Sequence, residues 1–148
     1  MNTLKKKIAG IVLSMAAVAT MAIPTVYAGV DNNISYSFLI RGSVENAQVN
    51  EGRNRETSNP DDRWKVSLET SAEGKGTITK FWLENYTGKN VSNAYNVQQG
   101  KGPVYRPSKT SGCKTYVWLT AENNNTSAKQ YQVTGYWDEE TGVFENIG

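Results

Sequence analysis

Three stretches of the 148-residue chain carry side chains that could do chemistry. The first is Gly135-Tyr136-Trp137-Asp138-Glu139-Glu140-Thr141-Gly142. Aromatic rings beside carboxylates suit a sugar, whose C–H faces stack on rings while its hydroxyls bond to acids. Tyr136, Trp137, Asp138 and Glu139 are therefore candidate ligand residues. The plainer reading is a strand running into an acidic turn closed by glycine. The second stretch is Ala121-Glu122-Asn123-Asn124-Asn125-Thr126-Ser127. Asparagine tolerates left-handed backbone and bonds to its own main chain, so Asn123, Asn124 and Asn125 suit a hairpin loop. As a ligand loop, the same amides pair with sugar hydroxyls. The third is Arg53-Asn54-Arg55 with Asp61-Asp62-Arg63, either a solvated loop with weak local ion pairs or an anion site.

Familiar catalytic patterns do not appear. The chain has no histidine, which removes the usual base for a serine or cysteine nucleophile. Nucleophile-elbow, phosphate-loop, zinc-ligand and calcium-loop spacings are missing. No catalytic residue, metal ligand or cofactor is assigned. Fourteen acids offer many carboxylate pairs of the sort a glycosidase uses, Asp138 with Glu139 among them. None sits in a motif. The single cysteine, Cys113, cannot form a disulfide within the chain. It reads as a half-buried small residue at the start of a strand, or as a thiol for an intermolecular bond.

Placing these residues is a task for strands. Aromatic residues, asparagine and punctuating glycine dominate the chain after residue 28, a β-protein profile. Ile34-Ser35-Tyr36-Ser37-Phe38, continued by Ile40, alternates apolar and polar residues, as does Trp64-Lys65-Val66-Ser67-Leu68-Glu69. Residues 77–86 and 114–121 carry large side chains in both phases, as central strands buried on both faces do. Tyr95 with Val97, and Tyr131 with Val133, mark shorter strands, and Val143-Phe144 starts a last one. Residues 44–61 read as a long polar loop. At an offset of 36 positions, Gly76, Thr79, Trp82, Leu83, Tyr95 and Val97 match Gly112, Thr115, Trp118, Leu119, Tyr131 and Val133. If this is duplication, it predicts two alike hairpins. The expected fold is all-β: an antiparallel sandwich, or a jelly-roll-like variant, of about six to eight strands. Trp64, Trp82 and Trp118 are the expected core.

The first 28 residues read as an address. Lys5, Lys6 and Lys7 precede an apolar run from Ile8 to Ile23, then Pro24 and Val26-Tyr27-Ala28. This is the pattern of a secretory signal peptide cut between Ala28 and Gly29; the run is short for a membrane span. The predicted layout is therefore residues 1–28 as leader and 29–148 as one secreted domain. Loss of the three lysines takes the basic count from 16 to 13 against 14 acids, so the formal charge falls from +2 to −1. A nucleic-acid partner is then not expected, nor stable membrane insertion after cleavage.

Several blocks come in a characteristic order. They are Asn59-Pro60 before Trp64-Lys65-Val66, Glu73-Gly74-Lys75-Gly76-Thr77 with Phe81-Trp82-Leu83, then Ala121-Glu122-Asn123-Asn124-Asn125, then Gly135 to Thr141. Over most of residues 31–142 the chain resembles a family of short secreted proteins of Gram-positive bacteria, a domain of unknown function. The resemblance implies an exported, non-lipidated domain and supplies no activity, cofactor or site. Three functions fit. The first is a non-catalytic extracellular binding protein whose partner is a cell-envelope polymer, such as a glycan, or another protein. The second is a bacteriocin-like antagonist, and the third a carboxylate-based hydrolase. Oligomeric state is left open.

Overall fold

The computed structural model describes residues 30–145, so the Ala28–Gly29 cleavage point lies outside the described residues. Nine strands and one 3-10 turn, and no α-helix, occur among the described residues. The strands are β1 (Ile34–Ile40), β2 (Ala47–Gln48), β3 (Arg53–Arg55), β4 (Trp64–Ser71), β5 (Ile78–Asn85), β6 (Tyr95–Gln98), β7 (Val104–Arg106), β8 (Thr115–Asn123) and β9 (Tyr131–Asp138). They form two antiparallel sheets. The first has the order β1-β9-β4-β7; in the second the order is β2-β8-β5-β6, with β3 following β2 along the same edge of β8. The fold is the expected sandwich.

Alternation sets which side chains face inward. Tyr36, Ile40, Trp64, Val66, Leu68, Val133 and Trp137 of the first sheet meet Phe81, Leu83, Val97, Val117, Leu119 and Ala121 of the second. Gly135 sits opposite Tyr36 of β1 and Leu68 of β4. Its missing side chain leaves room for the Tyr36 ring, whose hydroxyl donates to the Ser67 carbonyl at 2.9 Å.

Several local expectations are corrected. Residues 44–61 are not one loop: β2 and β3 lie within them and pair with β8. They escape a period-two reading because they are short, and because an inward Arg55 looks like a solvated charge. β7 was not anticipated at all, which raises the strand number above eight. β9 is eight residues long rather than short, and Val143-Phe144 is not a strand. The alternating β4 is buried on both faces of its first half, because Tyr105, Tyr136 and residues 31–33 cover Lys65. The two similar segments do not make alike hairpins. β5 and β6 pair within the second sheet, whereas β8 stays there and β9 crosses to the first.

The tryptophans also divide differently from expectation. Trp64 is in the core. Trp82 is only 4% exposed but lies outside the central cluster. Its phase, and that of Trp118, opposes the inward Phe81, Leu83, Val117 and Leu119, which puts both rings on the outer face of the second sheet. Trp82 donates from Nε1 to Glu84 at 2.8 Å, and Gln48 donates to the same carboxylate at 3.1 Å.

Candidate functional site

At one end of the sandwich, β9 runs into residues 139–142, and the side chains of this acidic turn fold inward. Asp138, Glu139, Glu140 and Thr141 are all buried, an uncommon location for three carboxylates. Each has a partner. Asp138 accepts from the Asn32 backbone N–H. Glu139 pairs with Arg53. Glu140 accepts from the Thr57 N–H at 2.7 Å. Asp62 accepts from the backbone N–H groups of Thr141 at 3.2 Å and Gly142 at 2.8 Å. Thr141 in turn donates to the Arg63 carbonyl from its hydroxyl at 2.7 Å. Beneath them Arg55, fully buried, donates to the carbonyls of Glu139, Asp62 and Asn59. The Arg53-to-Arg63 cluster is thus neither a solvated loop nor an anion site. It is the frame of the turn.

Burial raises the pKa of two of these carboxyls, Asp138 and Glu140. Asp138 is pushed up to about 7, chiefly by desolvation; the Asn32 N–H opposes the shift and neighbouring Glu139 adds to it. Glu140 is raised by burial as well, against the opposing Thr57 N–H. An unfolded aspartate titrates near 4, so between about pH 4 and 7 the native state holds a proton that the unfolded state has lost. Stability should therefore fall as pH rises through that window and level off above it. Denaturant unfolding at pH 5 and pH 8 should differ by about 1–2 kcal/mol in favour of pH 5. Asp138→Asn, neutral at both, should remove most of the difference. An unchanged slope in that variant would locate the proton elsewhere.

Above the turn lies an open cleft of ≈ 430 Å³, lined by Val30, Asn32, Gly52, Arg53, Asn54, Glu56, Tyr116 and the carboxylates of residues 138–140. A second recess of ≈ 290 Å³ shares Gly52 and Arg53 with it and continues between Ile34–Ser37 of β1 and residues 49–53. Together they follow the seam where an edge strand of one sheet meets an edge of the other. Tyr116 stands at the rim, 54% exposed, with its ring centroid 6.3 Å from that of half-buried Trp118. Gly52 makes room for this pair: a Cβ there would sit 2.6 Å from Trp118 Cδ2. The cleft therefore combines an exposed ring, amides, and acids fixed from below.

The candidate ligand residues fall in different places. Asp138 and Glu139 line the cleft. Tyr136 lies partly exposed on the outer face of the first sheet, its ring centroid 5.4 Å from Lys65 Nζ. Trp137 is 2% exposed and packs in the core. Asn123 is buried beside the Tyr131 hydroxyl at 3.4 Å. Asn124 and Asn125 are exposed in the β8–β9 connection, where the Asn125 side chain accepts from the Ser127 N–H. That connection and the acidic turn are at opposite ends of β9, roughly 20 Å apart at about 3.3 Å per residue, so they do not share one surface. The sequence reading missed Tyr116, Trp118, Gly52 and Asn32. The available signal was Tyr116-x-Trp118 at strand spacing, which it assigned to a strand buried on both faces.

Cys113 is half-buried, just before β8. No helix among the described residues is long and apolar enough to cross a membrane. A family model described as "Protein of unknown function (DUF2712)" matches residues 24–141. No curated protein and no solved structure matches the chain.

Proposed function

The chain belongs to that family of unknown function, and from its geometry we propose a secreted, non-catalytic protein that binds a neutral or amino-sugar glycan of the cell envelope. The observation that carries this reading is the exposed Tyr116 ring beside Trp118, at the rim of a cleft offering Asn32, Asn54 and Glu56. A sugar ring stacks its C–H face on the aromatic side chain, and amides and carboxylates take its hydroxyls. The acidic lining disfavours phosphate-rich polymers, since Arg53 is already engaged by Glu139. Export rests on the residue 1–28 leader pattern.

A hydrolase reading meets a geometric obstacle. Glu139 is ion-paired with Arg53 and Asp138 accepts from the Asn32 N–H, so neither carboxyl stands free to flank a glycosidic bond as the pair in a glycosidase does. The antagonist reading draws on no comparable feature of the fold.

Co-sedimentation with insoluble peptidoglycan stripped of teichoic acid tests the proposal. The protein should pellet with the polymer, and Tyr116→Ala should weaken binding about tenfold or more. Because the ring is mostly outside the packed core, melting should shift by no more than a few degrees. Undiminished binding by a folded Tyr116→Ala protein would remove the cleft from the proposal.

A further inference from the structure

A second polar cluster lies on the outer face of the first sheet. Tyr105, Lys65 and Asp138 form one row across β7, β4 and β9. Continuing the β1–β9 register by one residue beyond Ile34 and Trp137 sets Asn33 opposite Asp138. Side chains so aligned project from the same face and come within reach of one another. Lys65 is the centre of this row. Its side chain is 4% exposed, and its amine lies 6.0 Å from the Tyr105 ring centroid and 5.4 Å from that of Tyr136. Nζ pairs with the Asp31 carboxylate and also donates to Asn33 Oδ1 at 2.7 Å. The other oxygen of Asp31 accepts from the Tyr105 hydroxyl at 2.8 Å. Asp31 satisfies the charge of a buried lysine. It does not explain why a carboxamide is held against the same amine.

We propose that Lys65 and Asn33 become joined by a side-chain amide, formed by the protein itself after folding. Asp31, paired with the buried Lys65 amine, takes its proton and frees the amine as a nucleophile. The amine lone pair attacks Asn33 Cγ, and the carbonyl electrons move onto Oδ1. Asp138, whose carboxyl holds a proton close to neutrality, supplies the proton to that oxygen. Collapse of the tetrahedral centre returns it, restores the carbonyl and breaks the bond from Cγ to the original amide nitrogen. That nitrogen takes the proton held by Asp31 and leaves as ammonia. The Lys65 nitrogen, which entered the adduct with two protons, gives its extra one to Asp31, from where it passes to solvent. One carbon–nitrogen bond forms and one breaks, with no change of oxidation state and no co-reactant. Alignment by the folded sheet supplies the rate, since well-oriented groups react at effective concentrations of about 10⁵ M or more. The link would fasten the segment before β1 onto β4 across β9, in a chain that cannot form an internal disulfide.

The test is the intact mass of the purified, folded full-length chain, with its N-terminal residue determined in parallel. The expected mass is lower than the sequence requires by one ammonia. Trypsin should fail to cut after Lys65, and one branched peptide should contain both Asn33 and Lys65. Lys65→Arg should show the complete sequence mass. A wild-type protein of unreduced mass overturns the proposal, and so does a water deficit mapped to Asp31. An ammonia deficit that persists in Lys65→Arg overturns it as well, because a cyclised asparagine elsewhere gives the same mass. The wild-type spectrum decides the matter even where a variant fails to fold.

Discussion

Arg55→Ala should cost about 3–5 kcal/mol, a large part of the stability of a domain this size. The guanidinium is 0% exposed and donates to three carbonyls, those of Glu139, Asp62 and Asn59. These carbonyls belong to the acidic turn and to the segment that leads from β3 into β4, so one planar cation ties both together. Removing it leaves buried acceptors without donors, at roughly 1–3 kcal/mol each where water cannot reach them. It also leaves the Glu140 carboxylate without a nearby positive charge that favours its ionised form. Urea unfolding checks the figure. Arg55→Met keeps much of the volume and loses every donor, so it should be nearly as unstable as Arg55→Ala. Recovery by methionine to within about 1 kcal/mol of wild type would show that the site needs bulk and not hydrogen bonds.

Gly135→Ala should be comparably damaging, about 3 kcal/mol or more. The added methyl carbon would sit 2.7 Å from Tyr36 Oη and 2.9 Å from Cζ, and would overlap the Ser67 carbonyl oxygen. The tyrosine ring has some freedom to move; the carbonyl is β4 backbone and has little. Gly135 pairs with Tyr36 on one side and Leu68 on the other, so the strain falls on both neighbours of β9 at once. A fall in melting temperature of about 10 °C or more is the expected reading for a domain of this length. Adding Tyr36→Ala should not rescue the variant, because the backbone clash with β4 remains. Rescue by that second change would place the whole problem in the ring.

These two residues also show what a sequence can and cannot disclose. Strands with enough alternating residues were legible: Ile34–Ile40, and the long aromatic β5 and β8 that occupy the middle of the second sheet. β2 and β3 were not, since two or three residues carry no periodicity and the inward side chain of β3 is an arginine. The similarity at 36 residues misled for a physical reason. It reflects what any glycine-bounded aromatic strand needs, while pairing depends on partners far away in sequence.

The site was legible in part. Its acids were identified, because three carboxylates before a glycine stand out on any reading. Its aromatic members were exchanged: Trp137 points into the core and Trp118 out of it. Alternation states that neighbouring residues face opposite ways, but not which way is inward. For Trp137 that is decided by the second sheet lying across it. The outward setting of Trp118 is permitted by Gly52, a residue 66 positions earlier in the sequence. Even the charge of the chain takes its meaning from position. Its excess of lysine lies in the leader pattern, while Arg53 and Arg55 are spent on holding the acidic turn.

The central claim is that a glycan lies on the Tyr116–Trp118 rim of the cleft. Its most direct test is an NMR titration of the protein with a soluble peptidoglycan-derived oligosaccharide, following the Trp118 indole N–H and the side-chain amides. The account predicts saturable shifts at Trp118, Tyr116, Asn54 and Asn32, with the amides of Asn124 and Asn125 at the other end of β9 unmoved. Absence of any shift, or shifts confined to Asn124 and Asn125, would contradict it.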